Sequence, residues 1–258
     1  VNTSVLNRIL AAVPAAGARI TFQRLDGAST MTLTQLHVAA ERLARGLRAS
    51  GVGEGDRIGI LASNSLEWVL LDLAALRLKA VTAGFEPGKF DPAEALLDRY
   101  LLAVLFTDRP AAGRGIRPAS DVARLIRSGE SAAPLPVPEY QPRDVTTIKF
   151  TSGSTAEPKG LAATAGSIDD SINAVQEMFG HITGDNLFIF LPLSLLQQRY
   201  WIYSALRFGH DVTVSTYEAA FPALRRAGAT VVMGVPAFYE TARKHIEASA
   251  RRAAGGSA

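Results

Sequence analysis

Thr151-Ser152-Gly153-Ser154-Thr155-Ala156-Glu157-Pro158-Lys159-Gly160 lies between a strand-like run, Thr146 to Phe150, and a segment of helical spacing, Ser167 to Phe179. A strand, a Gly/Ser/Thr loop and a helix in that order form the repeating unit of parallel α/β sheets. Such a loop aims backbone N–H groups and hydroxyls at phosphate oxygens. Glycine lets the backbone approach closely, and a lysine ammonium neutralises polyphosphate charge. The spacing excludes a Walker A loop: counted from Gly153, the positions that should read Gly-Lys-Ser/Thr are Pro158, Lys159 and Gly160.

Outward from the loop the alternation continues on both sides. Downstream, strands are expected at Asn186–Leu191, Asp211–Ser215 and Thr230–Gly234. Helices are expected at Leu195–Phe208, at Tyr217–Ala227 and from Ala237. Upstream, a first helix precedes a strand at Arg19–Arg24, and leucines and alanines at helical spacing run from Thr34 to Ser50, closed by Gly51. Arg57–Ala62 reads as a buried strand. Asn64-Ser65-Leu66-Glu67 offers a capping residue with Glu67 three positions on, opening a helix to Leu78. A strand at Ala80–Phe85, a helix at 92–100, a strand at Leu102–Phe106 and a helix at Asp121–Arg127 follow. This order predicts an α/β fold of two doubly wound, mostly parallel sheets flanked by helices. Pro134, Pro136, Pro138 and Pro142 make 129–142 an extended connection that cannot enter a central sheet. It divides the chain into a first lobe, 1–143, and a second, 144–258, that carries the loop. The tail from Ala253 is expected to be frayed or a cut linker.

Composition narrows the function. The 258 residues are 48% hydrophobic, enough for a sizeable core. Lys and Arg total 27 against 24 Asp and Glu, so no basic stripe marks a nucleic-acid partner. There is no cysteine, which excludes disulfides and thiolate chemistry and accords with a reducing, cytoplasmic setting. His37, His181, His210 and His245 have no metal-ligand spacing. The most apolar stretch, Trp68 to Val81, is interrupted by Asp72, Arg77 and Lys79, so no membrane span is expected.

The loop resembles the signature of the acyl-adenylate-forming superfamily, Thr-Ser-Gly-Ser/Thr-Thr-Gly-x-Pro-Lys-Gly, at nine of its ten positions. Ile20-Thr21-Phe22, Thr32-Leu33-Thr34-Gln35-Leu36, Gly55-Asp56-Arg57-Ile58 and Asn64-Ser65-Leu66-Glu67-Trp68 look like further family segments in family order. Leu191-Pro192-Leu193-Ser194 and Gly234-Val235-Pro236, with Tyr239-Glu240, are most like the long-chain acyl-CoA synthetase branch. In that family a carboxylate attacks the ATP α-phosphate, pyrophosphate leaves, and the acyl-adenylate passes to a thiol of CoA or of a carrier protein. The resemblance implies that Thr151, Ser152, Gly153, Ser154, Thr155 and Lys159 hold the ATP phosphates, with Lys159 the catalytic residue and Thr151 a ligand to Mg²⁺. It also implies that Leu195, Gln198, Trp201 and Val235 line the acid pocket, although each is equally suited to ordinary packing.

Several positions depart from the pattern. Ala156 stands where the family has glycine, and Ala165 and Leu195 where relatives often carry histidine; Ala237 replaces a frequent arginine. The family's adenine motif Tyr-Gly-x-Thr-Glu, its ribose-binding aspartate and its C-terminal domain with the adenylation lysine would lie beyond residue 258. The expectation is therefore the N-terminal part of an AMP-forming ligase, inactive alone, its C-terminal part supplied in cis or in trans. The alternative is a non-catalytic binding module or pseudoenzyme that keeps the fold.

Overall fold

The computed structural model describes residues 4–151 and 158–255, apart from the side chains of Thr151, His245, Ser249 and 252–255. In chain order its elements are α1 (Val5–Ala11), β1 (Arg19–Gln23), β2 (Ala28–Thr32), α2 (Leu33–Ala49), β3 (Arg57–Leu61), α3 (Leu66–Leu78), β4 (Val81–Phe85), α4 (Glu94–Tyr100), β5 (Leu102–Thr107), β6 (Ile116–Pro118), α5 (Asp121–Glu130), β7 (Val145–Thr151), β8 (Lys159–Thr164), α6 (Ala165–Phe179), β9 (Asn186–Ile189), α7 (Leu196–Phe208), β10 (Asp211–Val214), α8 (Ala220–Ala227), β11 (Val231–Val232) and α9 (Pro236–Gly255). None of these helices, over the described residues, is long and apolar enough to cross a membrane.

The strands form two sheets. One runs β11-β9-β10-β1-β2 and the other β6-β5-β3-β4-β7-β8. Every pairing is parallel except β1 with β2 and β7 with β8, each an antiparallel hairpin at the end of its sheet. The expected α/β architecture with two mostly parallel sheets is therefore present.

A helical layer lies between the sheets. α3 packs on β3 and β4, α7 packs on β9 and β10, and one continuous apolar core contains Ile20 and Val212 of the first sheet together with Ile58 and Phe106 of the second. Nearly every position of α3 from Trp68 to Leu78 is buried, which is why its sequence is apolar all round instead of striped.

Three features differ from the sequence reading. β2, β6 and β8 were not foreseen. β2 and β8 end their sheets and expose most of their small or polar residues, so they lack the apolar alternation that announces a strand. The cap of α3 is Ser65, whose Oγ accepts from the Trp68 amide at 3.2 Å, and not Asn64. Finally, sheet membership does not follow a division at residue 143: β1 and β2 belong with strands from the second half of the chain, and β7 and β8 with strands from the first. The proline-rich stretch is an extended connection over the surface, yet the hydrogen-bond ladders cross it in both directions.

Candidate functional site

The parallel strands of both sheets end on one side of the molecule, and open α/β sheets bind ligands beyond their carboxyl ends. Asn64, just after β3, ties the two sets of strand ends together. Its Nδ2 donates to the carbonyls of Leu191 at 2.9 Å and Ser215 at 2.8 Å, and its Oδ1 accepts from the Leu193 amide at 2.8 Å. The side chain that looked like a helix cap instead holds the turn leading into α7.

Around that turn lie three recesses. A small one of about 50 Å³ is bordered by Gly84, Glu86, Phe150, Pro158, Ser194 and Leu195. A second, of about 510 Å³, opens between Ser63, Glu86, Lys89, Pro192, Leu195 and Glu218. The third, of about 560 Å³, runs between α6 and α7 beside Lys149, Val175, Tyr200, Trp201 and Met233. Leu195 borders all three, and Ser194 borders the first and third. Ser194 Oγ is buried and, among the described residues, has no hydrogen-bond partner. Ser194 packs against Gly84, where an added Cβ would come within 3.0 Å of the Ser194 Cα.

The strand that leads into the loop is held on both faces. On one, the Phe150 ring stacks on Phe85 at 4.7 Å and meets Tyr100 at 4.9 Å and Phe90 at 5.5 Å. On the other, Thr147 Oγ1 accepts from Arg199 Nη2 at 3.0 Å. Arg199 Nη1 also donates to Asp72 Oδ1 at 2.9 Å and to Thr82 Oγ1 at 3.1 Å, its guanidinium lies 5.3 Å from the Trp68 ring centre, and the Tyr203 hydroxyl donates a very short hydrogen bond to Asp72 Oδ2. All five polar side chains of this network are buried. Burial works against the Arg199 charge, but Asp72 and Tyr203 outweigh it and hold the proton more firmly than in a free arginine. Burial, with the Asp72 carboxylate beside it, pushes the Tyr203 phenol well up. The network joins α3, α7, β4 and β7, so the strand before the loop and the helix after Leu195 share one anchor. Nothing in the spacing of Asp72, Thr82, Thr147 and Arg199 announced it; the available signs were a carboxylate, Asp72, inside the most apolar helix and an arginine, Arg199, inside a packed one.

The sequence-proposed residues fall as follows. Thr151 ends β7, and its Cα pairs with that of Lys159 at the start of β8, so the ends of the loop are locked in one ladder. Ser152, Gly153, Ser154 and Thr155 lie outside the described residues, as does Ala156. Lys159 is exposed at the loop's far end, and Pro158 beside it borders the small recess shared with Ser194 and Leu195. Trp201 is buried and lines the third recess. Gln198 is buried on the inner side of α7 and lines none of the three, its Oε1 without a partner among the described residues; Val235 is exposed and also lines none of them. The neighbouring Gln197 and Tyr200 occupy the wall assigned to Gln198, because Gln198 turns inward one position further round the helix. Among the described residues no group of three or more His, Cys, Asp or Glu is placed to hold a metal ion.

The AMP-binding enzyme family profile matches residues 11–257. The chain is 28% identical to the long-chain-fatty-acid–CoA ligase FadD15 of Mycobacterium tuberculosis over 92% of its own length and 44% of that protein. It is 25% identical to the fatty acid–[acyl-carrier-protein] ligase MmaC of Mycobacterium marinum, over 80% of this chain and 42% of that one. It thus spans less than half the length of these relatives. Among solved structures, the inhibitor-bound N-terminal domain of FACL13 from Mycobacterium tuberculosis superposes with a TM-score of 0.77 at 22% identity, covering 93% of this chain and 65% of that one. With a profile match over nearly its whole length and the two-sheet fold in common, this chain belongs to the AMP-binding enzyme family.

Proposed function

We propose that the chain is the N-terminal part of an AMP-forming carboxylic acid ligase that grips the phosphates of ATP at the β7–β8 loop and receives its acid beside α7. The observation that carries this reading is a meeting of motifs. Pro158, at the end of the phosphate-type loop, and Ser194-Leu195, at the end of the Leu191-Pro192 turn, border the same recess although they are far apart in sequence. A nucleotide at one side and a carboxylate at the other would be adjacent, and positioning of two reactants is worth roughly 7–11 kcal/mol of barrier where it is complete.

The residues present suit a triphosphate. Lys159 offers an exposed ammonium, and the small recess holds a buried hydroxyl, Ser194 Oγ, that no described residue partners. In this reading Ser152 to Thr155 give N–H and hydroxyl donors to the phosphates, and Thr151 is the candidate ligand to the Mg²⁺ that accompanies ATP. The metal would neutralise charge on the departing pyrophosphate. The acid's carbon body lies along Leu195 and Trp201. The acyl-adenylate is then handed to a thiol, for which CoA is the favoured acceptor and a carrier-protein thiol the second. Relatives named for each kind of acceptor match this chain at comparable identity. The absence of cysteine accords with a cytoplasmic setting.

Calorimetric titration with Mg-ATP, wild type against Lys159→Ala, tests the reading. Binding that the variant loses by about tenfold supports the phosphate grip, since charge-assisted hydrogen bonds contribute about 1.5–3 kcal/mol. No binding by either protein would sink it and favour a non-catalytic module that keeps the fold.

A further inference from the structure

We propose that Lys149 reads a second anionic group on the acid, so that this recess is built for dicarboxylic or otherwise doubly anionic acids in preference to plain monocarboxylic ones. The inference rests on the reading that the space between α6 and α7 holds the acid.

Side chains alternate along a strand, so Lys149 projects to the same side of β7 as Thr147, toward α7 and away from the Phe150 aromatic cluster. It lines the recess of about 560 Å³ whose walls include Val175, Trp201 and Met233. Those walls suit a carbon chain. Lys149 is the one cation among the described residues that line the recess, and because it is exposed its ammonium is free to meet an anionic group of a ligand there. No carboxylate among the described residues forms an ion pair with Lys149. Ser171 and Gln197 line the same recess and have donors to complete the shell of a carboxylate.

The reacting carboxylate is a poor candidate for this partner. Its place is the small recess at Pro158, next to the phosphate loop, and Lys149 does not border that recess. The two recesses meet at Phe150, Ser194 and Leu195. An acid lying across that junction would put one carboxylate toward the loop and a second, at the far end of its carbon chain, on Lys149.

The test is calorimetric titration of the protein without nucleotide, using α,ω-dicarboxylates from adipate to sebacate, each against its own monomethyl ester. Lys149 is exposed, and an exposed pair contributes up to about 1 kcal/mol, or roughly fivefold. Wild type is expected to bind the best dicarboxylate about fivefold tighter than its ester. Lys149→Met should erase that difference by weakening the diacid alone, and Lys149→Arg should keep it. Equal affinities in wild type, an equal loss for diacid and ester in Lys149→Met, or no binding of any acid would each overturn the proposal. Because no nucleotide is present, the outcome is independent of the Mg-ATP titration. Diacid preference without ATP binding would leave the acid site standing and remove the phosphate grip, and the converse would remove only the role of Lys149.

Discussion

His210 is fully buried, its Nδ1 3.0 Å from the Asp211 carbonyl and its Nε2 2.9 Å from Ser204 Oγ. Nδ1–H donates to the carbonyl, and in the neutral ring that burial favours Nε2 accepts from the serine hydroxyl. The buried His181 ring meets it edge-on at 5.6 Å. Burial lowers the proton affinity of both, and for His210 the neighbouring histidine lowers it further. An unfolded histidine titrates near 6.5, so below that pH the unfolded chain binds protons that the folded one refuses. Stability is complete above about pH 6.5 and declines as pH falls from there toward the depressed folded values. Between pH 7 and pH 5 stability is therefore expected to fall. Asp121, Asp144 and Asp185 have lowered values too, held by hydrogen bonds and by cationic partners, and their contributions fade only below 3.8. Urea midpoints at pH 7, 6 and 5 check this, and a flat profile would show that the two rings accept protons without cost. At this scale the sequence was legible where a residue type has one use. The hydroxyl, glycine and lysine pattern of the loop pointed to the family to which the chain belongs. Asn64 and Gln198 were not legible, because an amide serves equally as a cap, a pin or a pocket wall until its neighbours in space are known.

Among elements, α2 and α5 cross with almost no space between their backbones. A Cβ on Gly129 would overlap the carbonyl of Arg42, and one on Gly46 would overlap the carbonyl of Leu125. Alanine is the better helix former by about 1 kcal/mol, yet the crowding here is against main-chain atoms that cannot rotate away. Overpacking of this kind costs about 1–3 kcal/mol, so Gly129→Ala is expected to destabilise the protein. At Gly27, an added Cβ would have nothing within 4 Å, and Gly27→Ala should be close to neutral. Equal denaturation midpoints for the two variants would refute the close crossing. The same glycine explains a boundary. Sequence reading ended this helix at Arg127 and began the extended connection at Gly129, whereas the helix continues to Glu130, with Gly129 serving as its contact with α2. Buried strands such as β3 and β5 declared themselves by apolar runs. β8 did not, since Lys159 to Ala162 are all exposed and the strand exists by its antiparallel pairing with β7.

For the whole molecule, the order of strands in the sheets matters more than the proline-rich connection. The sequence shows a clear compositional break at 129–142, and a chain broken there would ordinarily make two lobes. Strand pairing overrides that signal, because a strand's partner is set by the crossover path and not by distance along the chain. β1 needs β10, which lies in the second half, and β7 needs β4, which lies in the first. Without those partners each half keeps an isolated antiparallel hairpin, which is marginal in water. The halves also divide the buried ion pair, Asp72 on one side and Arg199 on the other, and an unmatched buried charge costs about 3–5 kcal/mol. Fragments 1–143 and 144–258 produced separately are therefore expected to lack cooperative unfolding transitions, while the two expressed together should associate and recover one. A cleavage within 131–139, by contrast, should leave a non-covalent complex that still unfolds as a unit. Should 1–143 unfold cooperatively by itself, with the ellipticity of a complete α/β domain, the lobes would be autonomous and the shared anchor between loop strand and α7 would have to form after they dock.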